Sequence, residues 1–216
     1  MVTTPAFTRL DKKCFIAFLR LKIFQRRTRN PIDNSVTPCI AKSVKASLIT
    51  RSLTSMAIAE LCYKTLLADG VDALRAAKEK TITPALERVI EANILLSGLG
   101  FESAGLAGAH SVHNGLTVVP GAKAYMHGEK VAFGVIAQLM LEKADTAQIN
   151  QVIAFCKSVG LPTILADIGC ANISQDMLAK VAARATIASE FVHNEPFPVT
   201  ANMVAEAIMA ADAAGR

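Results

Sequence analysis

Three imidazoles lie close together in the chain. His110 and His113 stand three residues apart in GLAGAHSVHNG (residues 105–115), and His127 follows in YMHGEK (residues 125–130). A neutral imidazole offers a nitrogen lone pair to a metal ion or takes part in proton transfer near neutral pH. Residues at i and i+3 are neighbours on one helix face, so His110 and His113 can act on the same side. Ala104, Gly105, Ala107, Gly108 and Ala109 ahead of them are all small, which lets a second helix or a ligand come near the backbone. Gly128 leaves one side of His127 uncrowded. From residue types and spacing alone two readings stand level: a metal or acid–base site, and histidines that are simply packed.

The elements that would carry these side chains read as helices. MAIAELCYKTLLADG puts Ile58, Leu61, Cys62, Leu66 and Leu67 on or near one face, with Gly70 as a stop and VDALRAAKEK as a separate short helix. Thr83 and Pro84 read as N-cap and first helical residue of TPALERVIEANILLSGLG, whose apolar face runs Leu86, Val89, Ile90, Leu95 and which Gly98 and Gly100 should end. The histidine segment comes next as a helix from about Glu102 to Gly115, then a loop with Pro120 and Gly121, then a long apolar helix starting just after His127. DTAQINQVIAFCKSVGLP ends at Gly160–Pro162, and SQDMLAKVAARAT and TANMVAEAIMAADAAG close the chain. No convincing strand lies between residues 56 and 216, so the expected fold is all-α, a bundle of about seven helices. GLGFESAG is not a dinucleotide fingerprint: the GxGxxG spacing and the βαβ context are both missing.

Charge divides the chain. Residues 1–55 hold 11 Lys/Arg against 2 Asp/Glu, whereas residues 56–216 hold 12 against 16. We therefore treat 1–55 as a basic, irregular N-terminal segment and 56–216 as the helical domain. The first segment reads foremost as a disordered or loosely packed tail. An organelle-targeting stretch comes second, and nucleic-acid binding third, because no reader motif accompanies RRTR. No segment reaches the roughly 18 uninterrupted apolar residues of a membrane span. The odd set of 5 cysteines, without a CxxC pair, reads as reduced thiols in a cytoplasmic setting, with Cys62 and Cys156 in the core.

Four motifs carry a more specific message: AELCYKTLL, TPALERVIEAN, GFESAGLAGAHSVHNGLT and HGEKVAFGVIAQL. In order and spacing they resemble the C-terminal helical domain of glycerol dehydrogenases, within the iron-containing alcohol dehydrogenase superfamily. The resemblance implies oxidation of glycerol or a related small polyol to the ketone, with NAD as hydride acceptor and zinc, or iron, as the metal. It implies that His110 and His127 are metal ligands and that Phe101 lines the substrate pocket. His113 matches a family histidine that is near the site without being a ligand, so a supporting role or packing is expected. For Glu102 and Lys130 the expectation is helix-end charge and ion pairing. A homo-oligomer is one assembly the resemblance admits.

The family's third ligand, an aspartate in a Gly-Asp-Ala-Leu type motif, has no match here. Asp33 in PIDNSV stands in the wrong context, and the NAD-binding α/β domain has no counterpart either. The expectation is a truncated or frame-shifted glycerol dehydrogenase-like chain that is inactive alone. Its rival is a non-enzymatic helical module whose partner supplies the nucleotide domain, and either would expose apolar surface.

Overall fold

The computed structural model describes residues 53–216, apart from the side chains of Phe101 and Ala104. Readings placed on residues 1–52, Asp33 among them, lie outside the described residues.

Helix α1 runs Leu53–Glu79 without a break. Gly70 was expected to stop it, but Gly70 is buried inside the helix, and the end comes at Lys80 instead. Lys80 takes a left-handed φ of 55°, its N–H donates to Ala77 O, and the Thr81 N–H donates to Ala76 O. Those are the two bonds of a Schellman ending, which satisfies carbonyls the helix itself cannot. VDALRAAKEK is therefore the second half of α1 and not a separate helix. The buried register of α1 is Ala59, Cys62, Tyr63, Leu66 and Ala73, and the expected core residue Leu61 is 54% exposed.

Pro84–Glu91 (α2), a π-helical turn at Ala92–Leu96 and Ser97–Ala104 (α3) come next as one continuous rod. Thr83 caps it, its Oγ1 accepting the Leu86 N–H. The glycines at 98 and 100 do not end it. The π turn adds a residue to one turn of the rod. Leu86 and Val89 are buried before it, Ile94 and Leu95 within it are 73% and 49% exposed, and Leu99 beyond it is 47% exposed. Arg88 donates two hydrogen bonds to the Asp69 carboxylate, tying α2 to α1.

The remaining helices are α4 (Gly108–Leu116), α5 (His127–Leu141), α6 (Thr146–Ser158), α7 (Gln175–Ala185) and α8 (Ala201–Gly215). Counting the α2–α3 rod as one, the described residues hold seven α-helical rods and no strand, the all-α bundle the sequence predicts. Short helix α4 packs chiefly against α5 and α7, and α8 packs on those same two helices. The histidine helix thus lies against two helices, and the turn Phe191–Asn194 lies along it as well. It starts at Gly108 and not near Glu102, because Gly105 turns the chain with φ 77° between α3 and α4.

Cys62 and Cys156 are fully buried, as expected, and burial pushes both thiols up to about 12. Neither supplies a thiolate near neutral pH. No helix among the described residues is long and apolar enough to cross a membrane.

Candidate metal centre

Close helix approach fixes where the histidines sit. A Cβ at Gly134 of α5 would lie 2.4 Å from the Ala109 carbonyl oxygen of α4, and one at Gly115 of α4 would lie 2.5 Å from the Val181 carbonyl oxygen of α7. Only hydrogen fits at either place, so glycines let backbone pack on backbone on both sides of α4. Neither glycine is among the small residues singled out in the sequence; of those, Ala109 supplies the carbonyl that Gly134 meets, and a Cβ at Gly108 would meet the Glu195 and Gln138 side chains at 3.1 and 3.2 Å.

The first turn of α4 leaves N–H groups that its own helix cannot satisfy. Two distant side chains accept them: Glu195 Oε1 from Gly108 at 3.0 Å, and Gln138 Oε1 from Ala109 at 2.7 Å. Gln138 Nε2 in turn donates to Glu142 Oε1. Glu195 also places its carboxylate at the positive end of the helix.

Residues Phe191–Asn194 form a 3-10 turn strapped along α4. The Val192 N–H donates to Ser111 Oγ at 2.8 Å, and Asn194 Nδ2 donates to the Leu106 carbonyl at 2.8 Å. Beside them Glu190 accepts from Asn114 Nδ2 and pairs with Arg184. Burial alone would raise the Glu190 carboxyl. Hydrogen bonds from Asn114, Arg184 and Ser111, with the Arg184 charge, outweigh burial and hold it below the usual carboxylate range.

On this frame His110 is 4% exposed and His113 9% exposed, while His127, the first residue of α5, reaches the surface. The ring centres of His110 and His127 are 5.4 Å apart. Two imidazoles on one tetrahedral ion, with metal–nitrogen bonds of about 2.0–2.1 Å, hold their ring centres about 5 Å apart. The observed separation of ring centres is close to that value. His113 meets His127 edge to face at 4.2 Å between ring centres, with His127 Nδ1 2.9 Å from His113 Nε2. The Phe191 ring is near perpendicular to that of His110, with ring centres 6.5 Å apart. The donor set is incomplete: among the described residues no group of three or more His, Cys, Asp or Glu is placed to hold a metal.

Three of the four histidines therefore converge. The fourth, His193, is exposed and bonds through Nε2 to the carbonyls of Thr186 and Ile187. Phe101 lies in α3, its side chain outside the described residues. Glu102 is exposed. Lys130 is buried, and its Nζ donates to the carbonyls of Ala122 and Tyr125, bracing the turn before α5 where an ion pair was expected. Sequence reasoning missed Gln138, Glu190, Phe191 and Glu195. Gln138 had a readable signal, a lone amide in the apolar run VAFGVIAQLML. Glu190 and Glu195 had none, because only the fold brings them to α4.

The chain is similar to known proteins. Glycerol dehydrogenase of Thermotoga maritima is 54% identical over 165 residues, which are 76% of this chain and 45% of that protein. Glycolaldehyde reductase of Halobacterium salinarum is 50% identical over 159 residues, 74% of this chain and 44% of that one. The crystal structure of a probable glycerol dehydrogenase from Sinorhizobium meliloti superposes with a TM-score of 0.74 at 45% identity, covering 76% of this chain and 46% of that one. No protein-family model matches the chain. This chain spans somewhat under half the length of these relatives. Over about three quarters of its own length it is homologous to a segment of the glycerol dehydrogenases.

Proposed function

We propose that this chain is the metal-binding helical part of a glycerol dehydrogenase-type oxidoreductase acting on a small polyol. His110 and His127 are its two nitrogen ligands to a divalent metal, zinc or iron, and Phe101 lies on the substrate side. The observation that carries the reading is the 5.4 Å approach of two imidazoles delivered by different helices. The relatives named glycerol dehydrogenase and glycolaldehyde reductase support a small hydroxylated substrate.

When bound, such a metal supplies a Lewis acid that stabilises an alcohol oxygen as its proton leaves, and NAD supplies the hydride acceptor. This chain's residues do the positioning. Buried His110 holds one ligand nitrogen in place through the pinned helix α4, and His127 presents another from the first turn of α5. Phe191 sets an aromatic ring beside His110, near perpendicular to it. The third ligand and the nucleotide site are not among the described residues, so turnover needs both from elsewhere. Buried, reduced cysteines suit the cytoplasm.

One observation favours the partner-dependent reading as well. Leu61, Ile94, Leu95 and Leu99 expose large apolar side chains, which suit docking against another protein surface. Zinc titration of the purified chain tests the main reading. Binding near one ion per chain should weaken at least about tenfold in His110→Ala and in His127→Ala. Equal binding by the wild type and both variants would reject it.

A further inference from the structure

We infer that His113 is the positioning residue for His127: it takes the proton of His127 Nδ1 as a hydrogen bond and so leaves Nε2 as the nitrogen that receives the metal. The inference rests on the metal reading above and deepens it.

His127 begins its helix and reaches the surface, so packing does little to hold its ring. The contact that orients it comes from another helix: His127 Nδ1 lies 2.9 Å from His113 Nε2, with the rings at 78°. A neutral imidazole carries one proton, and the nitrogen bearing it cannot ligate a cation. Two tautomer arrangements satisfy the 2.9 Å contact. In one, His113 Nε2–H donates to His127 Nδ1, and the His127 proton sits on Nε2, which removes the free lone pair. In the other, His127 Nδ1–H donates to His113 Nε2, and His127 Nε2 is free. Only the second allows both the contact and a metal on His127. Metal-bound histidines commonly fix their tautomer this way, through a partner for the second nitrogen.

The placement of His113 suits that task. It is buried, and it lies one turn beyond His110 on α4, the helix held by Glu195, Gln138 and Ser111. One rigid helix therefore provides a ligand and also orients the ligand opposite. This gives His113 a function without making it a ligand.

The test uses the full chain, with cobalt(II) as the optical probe and zinc for NMR. His113→Phe, which keeps a ring and removes the acceptor, should bind cobalt(II) about 10–100-fold more weakly. His113→Gln, whose Oε1 falls near the position of Nε2, should recover affinity to within a few-fold and restore the visible absorption bands. In the zinc-loaded wild type, nitrogen-15 NMR should place the His127 proton on Nδ1, a readout that needs no variant to fold. Wild-type cobalt affinity in His113→Phe, alongside lost affinity in His110→Ala, would overturn the role of His113 and leave the metal reading standing. A His127 proton on Nε2 in the zinc-loaded chain would overturn it equally. Unchanged binding in both His110→Ala and His113→Phe would overturn the metal reading and this inference with it.

Discussion

Gly134 and Ala109 are in backbone contact: a Cβ on Gly134 would stand 2.4 Å from the Ala109 carbonyl oxygen, one residue before His110. This approach joins the helix that carries His110 and His113 to the helix that begins with His127. The positions of the imidazoles result from packing that only glycine permits.

Gly134→Ala should therefore cost about 1–3 kcal/mol or more in stability, because the neighbour to be displaced is backbone. It should also weaken metal binding by moving α4 away from α5. Gly98→Ala is the matched contrast. A Cβ there meets nothing within 4 Å inside helix α3, so that change should stabilise by about 0.5–1 kcal/mol. Urea denaturation of the two variants checks the opposite signs.

Glu190 makes stability depend on acid. Its folded carboxyl is held below the usual range, while in the unfolded chain a glutamate titrates near about 4.3. Its contribution is complete above that value and is lost as pH falls through the folded pKa. Glu190→Gln keeps an acceptor for Asn114 but loses the charge opposite Arg184, and should cost about 1–3 kcal/mol at pH 7. The gap between wild type and variant should narrow on acidification, and a gap that holds constant from pH 6 to pH 3.5 contradicts the account.

Glycerol oxidation by this chain alone should be undetectable with NAD, because two imidazoles supply only part of a metal site and no third ligand joins them among the described residues. A steady-state assay with added zinc decides the matter. Turnover at the rate of an intact dehydrogenase would refute the incomplete-site reading.

Much of the fold, and the histidine cluster of the candidate site, was legible in the sequence, for identifiable reasons. Thr83–Pro84 announced a helix start, and the chain obeyed it, because capping is local chemistry. The histidine trio was visible as a pattern, although its spacing could not say that the rings meet. The misreadings are local signals overruled by packing. Gly70 looked like a stop, but a buried position in a long helix accepts a residue without a side chain. On the α2–α3 rod the expected face held at Leu86 and Val89 and failed at Leu95, which lies inside the π turn Ala92–Leu96 and which nine residues of about 100° each already set opposite Leu86. Glu190 and Glu195, far from α4 in sequence, could be assigned to it only once the strap was seen.

X-ray absorption of the zinc-loaded chain addresses the central claim most directly, since it counts the atoms around the ion. The account predicts two imidazole nitrogens at about 2.0–2.1 Å with oxygen completing the shell, and one imidazole lost in His110→Ala. Sulfur scatterers near about 2.3 Å, or a shell without imidazole, would contradict it.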